Sequence, residues 1–259
     1  MISEITFSKK FTSFWNQTLP NANNFVRIVN LGLKDVIEDP FPEPRRPNNT
    51  ALVNVISNRL FDSFVSKKIK LGSINDPKFI LSNEYNELCG ESTDYLSRFA
   101  YGSNLSLPLT IDEMKESVGI FNVMYRKYGQ HTNNIQLAPK FIGCGFINNS
   151  VGDMIIGETL IEIKSGQRHF SVVDFRQIIT YCALNFSSGS KRKITGIEIF
   201  NPRMGISYST SVYNLCRNLS AKSSNELFEE IKRYIVDTEF SFDNFNEMTT
   251  TYPTVKNTL

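Results

Sequence analysis

The hydrophobic period of this chain changes near residue 130, and that change limits the folds open to it. Upstream, apolar residues recur at helical spacing. Leu52, Val53, Ile56, Leu60, Phe61 and Phe64 form one stripe, and Met114, Val118, Phe121, Met124 and Tyr125 form another. Downstream, residues 141–146, 154–156 and 160–163 are short runs rich in β-branched or aromatic residues, separated by Asn-Asn-Ser and Gly-Glu turns. A helix is expected over about 173–184, then strands over 194–200 and 206–212 joined by the turn at 201–205, then a helix over about 225–236. Helices followed by β-β-β-α-β-β and a closing helix spell an α/β fold, with a mixed central sheet flanked by helices and a helical N-terminal portion.

Local signals refine that outline. Residues 1–35 carry apolar positions at helical spacing and predict one or two helices. Residues 39–47 (DPFPEPRRP) hold four prolines, which fix φ and remove donors, so an extended loop is expected. Asn49-Thr50 offers a cap for the helix that follows, Lys67 and Lys68 suit its last turn, and Gly72 is its expected stop. Residues 76–100 read as an irregular helix. Thr110-Ile-Asp-Glu113 is a capping-box pattern that opens a helix to about Lys127, with Gly129 at its end. The expected partition is a mainly helical portion at 1–105, an α/β core at 106–243 and a loose, threonine-rich tail at 244–259.

Composition removes several classes of function. Of 259 residues, 41% are hydrophobic and 21% charged, values of a globular chain that can bury a core. The net charge of +2 excludes a purely electrostatic nucleic-acid binder, so any basic surface is local. No run of eighteen apolar residues occurs and the N-terminus lacks a continuous apolar stretch. Neither a transmembrane helix nor a secretory signal is therefore expected, and a cytoplasmic chain without a membrane partner is. Cys89, Cys144, Cys182 and Cys216 form no C-x-x-C pair, which argues against a zinc ribbon and for reduced thiols. Only His131 and His169 are present, so a histidine-rich metal site is excluded. No G-x-x-x-x-G-K-[ST] motif exists to drive an ATP-dependent motor.

The chemistry-bearing stretch is Gly152-Asp153, then eight residues, then Glu162-Ile163-Lys164. In a strand over 159–164, Glu162 and Lys164 share one face, and Ile161 and Ile163 point into packing on the other. A tight turn at Gly157-Glu158 folds the strand carrying Asp153 back beside it, level with Glu162. Two carboxylates and an ammonium then converge at a sheet edge. Paired carboxylate oxygens suit Mg²⁺ or Mn²⁺, and the Ile163 carbonyl between them is a natural further ligand. A lysine beside such a metal orients water and stabilises charge developing on a phosphate. An ordinary solvated strand face has the same pattern, so spacing alone leaves both readings open. Gln177 and Tyr181, four apart on the next helix, lie one above the other beside Arg176. His169 and the basic cluster Lys191-Arg192-Lys193 read as exposed loop residues.

In this order, Gly152-Asp153, Glu162-Ile163-Lys164 and Gln177-x-x-x-Tyr181 resemble the PD-(D/E)XK nuclease superfamily, and in particular its RecB-like branch. The resemblance covers roughly residues 110–215. It lacks the family's proline before the aspartate, where this chain has Val151-Gly152. It implies a restriction-endonuclease-like core and a metal-dependent deoxyribonuclease that works in DNA repair, recombination or defence against foreign DNA. Asp153 and Glu162 would ligate Mg²⁺ or Mn²⁺, Lys164 would serve the attacking water, and Gln177 and Tyr181 would contact the backbone or brace the site. The family often adds an acid from an upstream helix, a role that falls to Glu116 or, second, to Glu113. RNA stays open as a substrate. A protein partner or a homodimer suits cutting both strands of a duplex. The alternative is a catalytically silent relative that binds nucleic acid or protein as a subunit, or an unrelated α/β domain.

Overall fold

The computed structural model describes residues 1–99 and 104–238. The tail expected at 244–259 lies outside the described residues. Ten α-helices occur among those described: α1 (Glu4–Lys10), α2 (Thr12–Thr18), α3 (Ala22–Ile28), α4 (Thr50–Val65), α5 (Leu71–Ile74), α6 (Asn83–Phe99), α7 (Ile111–Tyr128), α8 (Val172–Ser187), α9 (Val212–Ser220) and α10 (Ser224–Asp237). The strands are β1 (Asp35–Val36), β2 (Ile135–Leu137), β3 (Lys140–Phe141), β4 (Ser150–Val151), β5 (Met154–Ile156), β6 (Thr159–Ile163), β7 (Gly196–Asn201) and β8 (Ile206–Ser211). The fold is α/β. Six strands in the order β1-β8-β7-β6-β5-β2 make a mixed sheet, parallel only between β6 and β7. The connection between those two runs through α8, as a parallel pair requires.

Alternation of side chains divides the core into two layers. Ile155, Leu160, Ile197 and Ile199 point to one face and pack with Phe7, Phe11, Trp15 and Phe25 of the first three helices and with α8, α9 and α10. Met154, Ile161 and Phe200 point to the other face and pack with α4, α6 and α7. Residues 1–99 therefore supply cover to both faces and, through β1, one edge of the sheet. No helix among the described residues is long and apolar enough to cross a membrane.

Several elements differ from the sequence reading, each for a local reason. The first 35 residues form three short helices, because Phe11 and the Leu19-Pro20 corner interrupt them. The Trp15 ring nitrogen donates to the Phe7 carbonyl across the first break at 2.9 Å. The helix α4 stops at Val65, not at Gly72. Lys67 takes a left-handed φ of 57° and the Lys68 amide turns back to the Ser63 carbonyl. The apolar run 141–146 is a strand only at Phe141, since Gly143 and Gly145 open a loop tied by the Asn149 side chain. The residues after β8 leave the sheet because the Ser211 hydroxyl accepts the Asn214 amide and caps α9, which the sequence reading missed. The capping box at Thr110 and Glu113 is present.

The 201–205 turn needs its glycine. Gly205 has φ of 60°, and a Cβ there would collide with the Glu38 carbonyl, where β1 joins the sheet. Gly205→Ala is expected to destabilise the protein by about 2 kcal/mol or more, from left-handed strain and the clash together. Chemical denaturation reads this directly; an unchanged midpoint would contradict it.

Candidate active site

The β5–β6 hairpin sets the site's geometry. Its two-residue turn is Gly157-Glu158, with Gly157 at φ 60°, and its register pairs Met154 with Ile161. The next pair outward is Asp153 and Glu162. The ladder ends at Met154, so the Ile163 amide has no backbone acceptor on β5. The Asp153 carboxylate takes that place and accepts from Ile163 N at 2.6 Å. Because N–H and C=O of one extended residue point to the same side, the Ile163 carbonyl faces the same edge.

Lys164 joins these groups to the helix behind them. Its Nζ donates to Glu162 Oε1 and to Gln177 Oε1, both at 2.7 Å, and lies 4.0 Å from Asp174. The Ser171–Asp174 capping box starts α8, and Arg168 clamps the Asp174 carboxylate with two hydrogen bonds. Gln177 and Tyr181 are buried, not solvated, because this helix face turns toward the hairpin. A lysine only donates, so it fixes which way the Gln177 amide points. The amide nitrogen is left to donate to the Tyr181 oxygen at 3.1 Å.

Two carboxylates near the site escaped the sequence reading. Glu4, in the first turn of α1, accepts from the Tyr181 hydroxyl at 3.2 Å and from Gln177 Nε2 at 3.5 Å. In the sequence it is an ordinary first-turn acid, and only the packing of α1 on α8 brings it here. Asp62, on α4, lines a cleft of about 280 Å³ together with Asp153 and Ile163. Glu116 does not join the group. It pairs with the fully buried Arg203, which binds Asn54, and Asn54 in turn holds the Ser165 carbonyl. Glu113 pairs with Arg46. Arg176 lies over the Trp15 ring and bonds the Ser8 carbonyl, and His169 is exposed.

The electrostatics are those of a crowded acidic pocket. Burial first, then the Asp153 charge, push the Glu162 carboxyl up to about 8 against the pull of Lys164. Burial likewise raises Asp153, while the Ile163 amide and Lys164 oppose the rise. Burial works against the Lys164 ammonium, but the Glu162 charge outweighs it and raises its pKa. Asp62 is exposed at the cleft, where desolvation by the surrounding atoms and then the Asp153 charge act to raise its carboxyl. Glu162 is 4% exposed, and its Oε2 has no hydrogen-bond partner.

The groups able to hold a metal here are the Asp153 and Glu162 carboxylates and the Ile163 carbonyl. No three His, Cys, Asp or Glu side chains among the described residues are grouped to hold a metal. A scan against protein-family models and a search of curated proteins found no match to this chain.

Gln177→Ala removes one of the two short hydrogen bonds of Lys164 and the Tyr181 contact. A stability loss of about 1–2 kcal/mol is expected, because both partners are left buried. Urea denaturation checks it, and an unchanged stability would mean that Lys164 and Tyr181 find other partners.

Proposed function

We propose that this chain is a metal-dependent nuclease that hydrolyses phosphodiester bonds of DNA on a restriction-endonuclease-like core, resembling the RecB-like branch of the PD-(D/E)XK superfamily. One observation carries the reading. The half-buried Asp153 and the buried Glu162 lie side by side, Lys164 is held beside them by Gln177, and Glu162 Oε2 lacks any partner. Two adjacent carboxylates, one of them buried, with one neighbouring ammonium are under-compensated, and more positive charge would relieve them. The donors are all oxygens, which suits Mg²⁺ or Mn²⁺. Asp153, Glu162 and the Ile163 carbonyl would hold the ion, and when bound it supplies Lewis-acid polarisation of the phosphate and a lowered pKa for water.

The chain's own groups do the rest. Lys164 presents its ammonium at the site, where it orients the attacking water and stabilises charge growing on the phosphate oxygens. Gln177 keeps that ammonium from swinging away, and Tyr181 and Glu4 keep Gln177 in place. The Arg168–Asp174 clamp fixes the loop between strand and helix. The settings that fit are DNA repair, recombination or defence against foreign DNA in the cytoplasm.

A cleavage assay on supercoiled plasmid, linear duplex, single-stranded DNA and RNA tests this, each with Mg²⁺, Mn²⁺ or EDTA. Metal-dependent cutting of DNA is the expected result. No cutting of any substrate with either metal overturns the reading in favour of a binding subunit.

A further inference from the structure

The cleft that holds Asp153 is acidic inside and basic at its rim. Asp62, Asp153 and Val151 line it. Val151 pairs with Lys140 across β3 and β4, and directly opposed residues of an antiparallel pair send their side chains to the same face. Lys140 therefore stands beside the cleft wall. It is exposed, and its ammonium has no partner among the described residues. Arg192 extends that wall. Its Nη1 donates to the Lys140 carbonyl at 3.0 Å, and its guanidinium carbon lies 5.4 Å from the centroid of Phe141, which stacks on Tyr181. The Asn185 side chain donates to the Arg192 carbonyl at 2.9 Å and ties this loop to α8. Lys191 is exposed and also unpartnered among the described residues, whereas Lys193 faces Glu158. On the α4 side of the cleft, Lys67 and Lys68 are exposed and have free ammonium groups among the described residues. The Lys68 amide returns to the Ser63 carbonyl at 2.8 Å, and its charge is felt at the Asp62 carboxylate.

Resting on the nuclease reading, we propose that Lys67 and Lys68 on one side of the cleft and Lys140, Lys191 and Arg192 on the other form the track of the nucleic-acid backbone, holding the phosphates that flank the one at Asp153. A net charge of +2 gives the chain no general attraction for a polyanion, so this local set decides where one lies. The carboxylates between the two sides repel a bare anion. A polynucleotide carries a phosphate at every step, so one strand meets both sides of the rim while the phosphate between them lies over Asp153. The contacts are to phosphate and not to bases, so they give salt-dependent affinity without sequence preference. None of these lysines touches Glu162 or Lys164, so they act on KM and leave kcat to the groups at the reaction.

Fluorescence anisotropy on the Lys164→Ala chain with Mg²⁺, which does not consume its substrate, tests the track. A labelled DNA duplex of about twenty base pairs is titrated at salt concentrations from about 50 to 200 mM. Lys68→Ala, Lys140→Ala and Lys191→Ala, each added singly, should weaken binding about five- to tenfold near about 0.1 M salt. Each should also lower the slope of log K against log salt by about 0.9, and Lys140→Arg should keep both values. These side chains are exposed, so melting temperatures should not change. Arg233→Ala, on α10, which packs against α2, α8 and α9, is the control and should alter neither affinity nor slope. An unchanged slope in the triple lysine variant, or an equal change in Arg233→Ala, overturns the track. Polyglutamate competing as well as unlabelled DNA also overturns it, in favour of an acidic protein partner. Cleavage is read separately with Lys164 in place, where the triple variant should raise KM and keep kcat. Cutting with a KM indifferent to the three lysines removes the track alone. Lysine-dependent DNA binding without cutting removes the nuclease reading and leaves the track standing.

Discussion

Lys164→Ala is expected to abolish DNA cleavage, by at least about 10²–10³-fold, the usual cost of losing one preorganised donor at a developing oxyanion. The lysine is not a metal ligand, so binding of Mg²⁺ should persist. The variant also separates chemistry from architecture. The ammonium is held by Glu162 and Gln177 and touches no backbone group that the fold depends on, while its own amide still bonds the Phe200 carbonyl at 2.7 Å. The circular dichroism spectrum should therefore match that of the unmodified chain. Its removal leaves the buried Glu162 and the half-buried Asp153 with less compensation, which should raise their pKa values further and move the pH profile of metal binding upward. Cleavage at the unmodified rate would sink the mechanism.

Glu162→Gln should make the metal-free protein more stable and inactive at once. The Glu162 carboxyl titrates in the folded chain at about 8, above its ordinary value. Between the ordinary carboxylate range and pH 8 the native state binds more protons than the unfolded state, so stability falls as pH rises through that window and levels off above it. Each pH unit of that rise carries roughly 1.4 kcal/mol, and coupling to the Asp153 charge means that Glu162 alone carries only part of it. About 2 kcal/mol at pH 8 is a fair expectation, or roughly 5 °C in Tm for a chain of this size. Thermal melts from pH 5 to pH 8.5 without metal should therefore slope downward for the unmodified chain and be flatter for the variant. Mg²⁺ should raise the melting temperature of the former and leave the latter unchanged. Parallel pH profiles for the two proteins would show that Glu162 carries no such strain.

Much of the site's layout was legible because it depends on local rules. Strand alternation puts Glu162 and Lys164 on one face, and the Gly157-Glu158 turn sets the register that brings Asp153 level with Glu162. Helical spacing alone stacks Gln177 and Tyr181. The errors came where long-range packing decided. Helical spacing stacks Gln177 on Tyr181 but does not say what covers that face, and the packing of α1 on α8 supplies the cover. Glu116 and Glu4 are both acids near helix starts, and nothing in their neighbours distinguishes them. Arg203, brought in by the 201–205 turn, engages Glu116, whereas α1 docks on α8 and delivers Glu4.

By itself, the sequence determined the α/β class, the capping box of α7, the hairpin register and the Asp153–Glu162–Lys164 grouping, since each follows from steric periods of two or 3.6 residues and from turn chemistry within about twenty residues. Only the tertiary structure decided that the first three helices cover one face of the sheet and α4 and α6 the other, that Glu4 reaches the Tyr181–Gln177 pair, and that Asp62 and Tyr95 share a cleft with Asp153. Those contacts join residues more than fifty positions apart. They arise from burying apolar faces against one another, a non-directional force that many pairings satisfy, and the choice among them is made only when the whole core packs.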